Sequence, residues 1–294
     1  MIKLALTDLD NTLIHVDGSA SAYARQAIHT ALDAGIRVGP VTGRVPAAMR
    51  WMFEGDARCF ATGAFVNGQI IYVDGEVVRE QAIDGELLEE LARFIAPIDG
   101  VALALCDITR VAGISDGAIS YVGASAEEIE RHKNFFGGEY QVLEHVDRPA
   151  YIKSNLRCDI PPEEVAALQE ELRIRFGQLN FVLPMNGGQF IDILPSGWDK
   201  GKAVLFLVEH LGLGLDEVVV FGDSDNDLAM LAAVPNSVTV ANAVPEVAAA
   251  SRWHIGACAD DAVADALLDI VRANAHGEQP SFMTASPQRD RGQF

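Results

Sequence analysis

Residues Met1–Leu13 read MIKLALTDLDNTL. Ile2, Leu4, Ala5 and Leu6 make a short apolar run of the kind that is buried on both faces of a sheet. It ends on two aspartates one residue apart, Asp8 and Asp10. Carboxylates after a strand are often plain turn or helix-cap chemistry. Whether this pair is more than that depends on what the rest of the chain brings to the same place.

Outward from this strand, the first third of the chain alternates strand and helix patterns. Residues 19–35, SASAYARQAIHTALDAG, carry Ala24, Ile28, Ala31 and Leu32 on one stripe and stop at Gly35. The next strand is IRVGPVTG (36–43), followed by a helix around Pro46 and then CFATGAFVNGQIIY (59–72), a strand and turn that enter a hairpin. Repeated strand–helix–strand units with short connections imply a parallel sheet covered by helices. From about Gly85 the texture changes to shorter strands among helices. Examples are VALALCDI, AISYVG, the Ser125-capped helix SAEEIERHKNFF, AYIKSNLRCDI, LNFVLPM and GGQFIDIL. The alternating pattern then resumes with GKAVLFLVEHLGL, EVVVFGD, NDLAMLAAV and SVTVAN. The expected fold class is α/β: a Rossmann-like parallel-sheet core over residues 1–81 and 189–273, with an inserted α+β cap domain over 82–188. Residues 274–294, polar and without periodicity, read as a mobile tail.

In open parallel sheets, ligands bind beyond the carboxyl ends of the strands. Four groups fall there: Asp8 and Asp10; Thr42, Gly43 and Arg44; Lys200; and Gly222-Asp223-Ser224-Asp225-Asn226-Asp227. Each has an ordinary alternative as a turn, a cap or a solvated charge. Together they put acids, a hydroxyl, a cation and more acids at one rim of one sheet. Acids packed that densely repel one another unless a cation or hydrogen bonds offset them.

This ensemble resembles the haloacid dehalogenase-like superfamily of phosphohydrolases, with DLDNTL as the DxDxT signature, VTGR as the second motif, Lys200 in WDKGKA as the third and GDSDND as the fourth. The long insertion between the second and third motifs, the Asn67-Gly68 segment FVNGQII and the run DILPSGWDKGKA are similar to the Cof-type branch. Trp198 and Asp199 depart from the small or β-branched residue and serine usual there, which counsels against borrowing a substrate. The resemblance implies a Mg²⁺-dependent phosphatase in which Asp8 attacks phosphorus and Asp10 moves protons. Thr42, Gly43, Arg44, Asn67, Lys200 and Asn226 would contact the substrate phosphate or the groups around it. The metal would be held by the Asp8 carboxylate, the Asp10 backbone carbonyl and the Asp223 carboxylate, with Asp227 either a further acid behind them or a direct ligand. Asp10 would keep its side chain off the metal, because only its backbone binds there, and Lys200 would screen Asp8 from the other acids. On the cap, alternation in YIKSNLRC places Tyr151, Lys153, Asn155 and Arg157 on one face and Ile152, Ser154, Leu156 and Cys158 on the other. Lys153, Asn155, Arg157 and Asn186 are the candidates to choose the organic part of the substrate.

Composition bounds the partners. Among 294 residues, 42 Asp+Glu against 22 Lys+Arg give a net charge of −20, which argues against nucleic acid and anionic membrane surfaces. It also requires a local cation wherever an anion binds. The four cysteines lack metal-ligand spacing and read as free thiols in a reducing compartment. No apolar run approaches a membrane span, and the N-terminus reaches Asp8 before a signal-peptide core forms, so a cytoplasmic enzyme is expected. The partner is a small phosphorylated metabolite; a homo-oligomer is left open. Two other activities fit the same motifs: a phosphomutase or phosphotransferase, disfavoured by the acidic cap, and a phospho-acceptor signalling module.

Overall fold

The computed structural model describes residues 1–15, 18–108, 118–132, 140–183 and 189–284. The sheet that the opening strand nucleates has five parallel strands. Their order is Trp253–His254, Asn236–Thr239, Val218–Gly222, Leu4–Thr7 and Arg37–Pro40. Alternation along the central strands supplies two apolar faces. Leu4, Leu6, Val218 and Val220 pack with Val204 and Leu207 of the helix Lys200–His210. Ala5, Val219 and Phe221 face the other way, against Ile28 of the helix Ala22–Asp33 and Leu267 and Ile270 of the helix Ala262–His276. Burial on both faces is why these strands read as unbroken hydrophobic runs. Gly39 is fixed by a close approach, since a Cβ there would lie 1.6 Å from the Thr62 carbonyl oxygen.

Beside the parallel sheet, Gly63–Phe65, Ile70–Val73 and Glu76–Glu80 form a three-stranded antiparallel sheet. The inserted module carries a six-stranded sheet ordered Leu179–Val182, Phe190–Pro195, Lys153–Cys158, Val101–Asp107, Ala118–Val122 and Tyr140–Val142. Its strands are antiparallel except for the last pair. One face packs Leu103, Leu105, Leu156 and Ile193 against Leu88 and Leu91 of the helix Gly85–Ile95 and Leu168 and Leu172 of the helix Pro162–Arg175. The opposite face turns toward the parallel sheet and bears the small residues Ala102 and Ala104, paired with Arg157 and Asn155.

Three details differ from the sequence reading. Phe190–Pro195, placed in the core by a boundary at residue 189, is a strand of the inserted sheet, because it pairs on both sides with strands of that module. Tyr151 packs with Leu156 and Cys158 rather than on the face of Lys153, while Ile152 packs against the parallel-sheet core. The chain bends at Ile152, between the short strand Ala150–Tyr151 and Lys153–Cys158, so the alternation restarts there. Residues 274–284, read as the start of a mobile tail, are anchored at several points. The last helix continues to His276, Asn274 holds both backbone groups of Ile2, the Ser281 hydroxyl donates to Asp269 and Met283 is buried. Residues 285–294 and the candidate Asn186 lie outside the described residues.

Candidate active site

The sheet order reverses between Leu4–Thr7 and Val218–Gly222, and Asp8 and Asp223 immediately follow these two neighbouring strands. Both carboxylates therefore stand at the topological switch point, where the crossovers diverge and leave a crevice. Lys200 enters from below as the first residue of its helix. Its Nζ lies 2.6 Å from Asp8 Oδ1, 2.7 Å from Asp227 Oδ1 and 3.3 Å from Asn226 Oδ1. An ammonium at a helix N-terminus opposes the dipole, and here the three oxygen acceptors offset that cost. Asp227 is fully buried, and its Oδ2 accepts the N–H groups of Asp223 at 3.0 Å and Ser224 at 3.1 Å. Both of its oxygens serve Lys200 and the loop. The Thr12 hydroxyl donates to Asp223 Oδ1 at 2.8 Å and fixes that carboxylate.

Gly222 makes this packing possible. A Cβ there would stand 2.7 Å from both Cβ and Cγ of Asp227, a side chain pinned from three directions. Gly222→Ala is expected to lower stability by about 1–3 kcal/mol and to reduce activity. An unfolding midpoint in urea equal to that of the wild type would contradict this reading of the loop.

Above the acids lies a cavity of about 490 Å³. From the core it is lined by Asp8, Asp10, Asn11, His15, Gly18, Gly43, Arg44, Asp223, Ser224 and Asn226. The inserted sheet closes it with Lys153, Asn155, Arg157, Phe190 and Asp192. A larger, open groove of about 590 Å³ between residues 85–93 and 145–149 is remote from these groups and has no comparable convergence of acids and lysine. Several residues take positions that the sequence did not foretell. The Asp10 side chain, expected to stay off the metal, is gripped by Arg44 with two prongs, Nε to Oδ2 at 3.0 Å and Nη2 to Oδ1 at 2.9 Å. Thr42 is buried, and its hydroxyl accepts the Arg44 N–H at 3.1 Å. Asn67 is buried behind Gly43 and does not line the cavity; its Nδ2 donates to Asp192 at 2.9 Å. Lys153 donates to the Gly43 carbonyl at 2.8 Å. Lys153 thereby joins the inserted sheet to the loop after the second parallel strand, and Asn67 joins it to the turn after Gly63–Phe65. Asp192 and Phe190 were not singled out from sequence. The available signal was a carboxylate alternating with Ile191 and Ile193 in mid-strand, a position where a charge needs a partner.

Burial, foremost, drives the Asp8 carboxyl well above its ordinary range, with Asp227 and Asp223 adding to it against the opposing Lys200. Burial likewise pushes Asp223 up to about 6 despite the Thr12 hydrogen bond. Burial also works against the Lys200 ammonium, but Asp227 and Asp8 outweigh it and hold its pKa above the usual value. Ligand oxygens of Asp8, Asp223 and Asp227 lie within 4.8 Å of one another, three acids to one lysine. This surplus of buried negative charge and the all-oxygen donor set fit a hard divalent cation. Asp8 and Asp223 line the cavity, whereas Asp227 does not.

The raised Asp223 pKa predicts a direction for stability. The folded, metal-free protein binds this proton more tightly than the unfolded chain does. The group therefore costs stability as pH rises from 3.8 through about 6. In EDTA at pH 7, Asp223→Asn should melt above the wild type, and the difference should close as pH falls toward 3.8. A lower melting temperature at pH 7 would contradict the charge surplus.

The family model for haloacid dehalogenase-like hydrolases matches residues 5–267, and the chain belongs to that family. It is an enzyme of the phosphatase class. The HMP-PP phosphatase of Serratia proteamaculans is 28% identical over 297 residues, covering 98% of this chain and 100% of the relative. Among solved structures, TM0651 of Thermotoga maritima matches with a TM-score of 0.71 at 26% identity, over 92% of this chain and 98% of that one. A phosphatase of the same superfamily from Bacteroides thetaiotaomicron shares the fold with a TM-score of 0.75 at 19% identity, over 91% of this chain and 94% of that one. No helix among the described residues is long and apolar enough to cross a membrane.

Proposed function

We propose that the protein is a Mg²⁺-dependent phosphohydrolase. It cleaves phosphate monoesters of small metabolites, sugar phosphates or phosphorylated cofactors, through an aspartyl-phosphate at Asp8. The observation that carries this reading is the Asp8 carboxylate, 2.6 Å from the buried Lys200 ammonium and within reach of Asp223 at the floor of a cavity between the parallel sheet and the inserted sheet. A relative named as a phosphatase over its whole length supports it.

The Asp8 carboxylate, the Asp10 backbone carbonyl and the Asp223 carboxylate would hold Mg²⁺, which when bound supplies positive charge against the phosphoryl oxygens. Asp8 attacks phosphorus, and the bond to the leaving oxygen breaks. Lys200 keeps Asp8 charged and oriented, because it is shared with Asp227 and cannot follow the nucleophile away. The Thr42 hydroxyl and the loop Gly43-Arg44 bound the phosphoryl position. Asp10, at the cavity rim, protonates the leaving oxygen, then takes a proton from the water that attacks the aspartyl-phosphate. The Arg44 clamp sets the direction of that carboxylate. The inserted sheet acts as a cap that limits water at the acyl phosphate, held down by Lys153 on Gly43 and Asn67 on Asp192. Four buried free thiols accord with a reducing, cytoplasmic setting.

Chelation tests the metal requirement. EDTA should abolish release of phosphate from p-nitrophenyl phosphate and excess Mg²⁺ should restore it. Turnover that persists in EDTA would contradict the proposal.

A further inference from the structure

The cap wall contains a polar group that the protein itself leaves unanswered. Asn155 lines the cavity at 5% exposure, and among the described residues its side chain makes no hydrogen bond; its Oδ1 is buried without a donor. Its neighbours in the same layer are engaged: Lys153 on Gly43, and Asp192 by Asn67. Asn155 stands directly opposite Asp192 across the two strands, and Arg157 opposite Phe190 in the next pair. The Arg157 guanidinium lies 5.2 Å from the centroid of the Phe190 ring. The wall therefore presents an unpaired amide beside a carboxylate, then an aromatic ring backed by a cation, all within reach of side chains on adjacent strands. A buried amide without a partner is costly, and a ligand that supplies the missing hydrogen bond recovers that cost.

We propose that Asn155 is a specificity-determining residue. It reads a hydroxyl or amino group on a ring-shaped leaving group that lies against Phe190. This rests on the phosphatase reading and adds to it the kind of alcohol released. Rings pack on an aromatic face through either a sugar's C–H face or a heteroaromatic plane, and both carry donors at the ring edge. Sites built to hydrogen-bond a substrate donor discriminate strongly against analogues that lack it, because the protein group is then left unpaired.

The test compares kcat/KM for pairs of phosphate esters that differ by one donor. One pair is a hexose 6-phosphate and its deoxy analogues; the other is an amino-substituted heteroaromatic methyl phosphate and its des-amino analogue. In the wild type at least one pair should differ by about tenfold or more. Asn155→Leu and, as a smaller change, Asn155→Ala should each collapse that ratio toward one. The pair that responds identifies the ring as carbohydrate or heterocycle. Wild-type ratios near one for both pairs, or ratios preserved in both variants, would overturn the proposal. Asp8→Asn run on the same esters separates the two levels. If it is inactive while the Asn155 variants keep the wild-type ratio, the specificity inference fails and the phosphatase reading stands. If it turns over, the reading beneath fails as well.

Discussion

Asp8→Asn should lower kcat for p-nitrophenyl phosphate by at least about 10³-fold while leaving the folded state intact. The amide keeps the shape of the carboxylate and an oxygen for Lys200, which retains Asp227 as its charged partner. It also removes one of three acids crowded into a buried cluster, so a melting temperature at or above that of the wild type is expected. What it removes is the proposed nucleophile, and removing one member of a catalytic unit can cost about as much as removing them all. Phosphate release and a thermal melt on the same preparation check both halves. Appreciable turnover, or loss of folding, would each count against the account.

The second large effect falls on Lys200. Its ammonium is 1% exposed and touches Asp8, Asn226 and Asp227, so it serves stability and chemistry together. Lys200→Met keeps much of the volume but strands the acids without a counter-charge. Removing one partner of a buried ion pair costs about 3–5 kcal/mol. The same change should reduce kcat at least about 10²-fold, because Asp8 loses the charge that holds it ionised. Lys202→Met, two residues along the same helix and exposed, should stay within about 0.5 kcal/mol of the wild type. Urea denaturation and steady-state kinetics on the two variants decide the matter. Equal stability of Lys200→Met and Lys202→Met would contradict the buried cluster.

The floor of the site was legible from sequence for a physical reason. Asp8 and Asp223 each follow a strand whose residues are apolar on both faces, and such strands announce themselves in a short window. Chain order then puts both acids at one rim of the sheet, and Lys200 at the start of a helix completes the motif set. The wall was harder to read. Lys153, Asn155 and Arg157 were found through alternation, but which of them would bond to the core and which would stay unpaired depends on how the inserted sheet sits over Gly43. Lys153 reaches the Gly43 carbonyl, whereas the Asn155 Oδ1 finds no donor among the described residues, although both occupy the same face. Asp192 sits between Ile191 and Ile193, where the surrounding strand hides it. The Arg44 grip on Asp10 joins residues 34 positions apart and leaves no periodic trace. Residues 274–284 look like a tail because their composition is polar. Their order comes from single long-range bonds, such as Asn274 to Ile2. Contacts of that kind are decided by the fold after the pattern has already formed.

Position 8 also offers the most direct test of the central claim, that the phosphoryl group passes through a covalent bond to one aspartate. The enzyme should be quenched in acid during steady-state hydrolysis of its best ester and then reduced with borohydride, which converts an aspartyl-phosphate to homoserine. Homoserine is expected at residue 8 and nowhere else in the digested peptides. Hydrolysis proceeding at full rate with an unmodified Asp8, or with the modification at Asp10, Asp223 or Asp227, would contradict that claim.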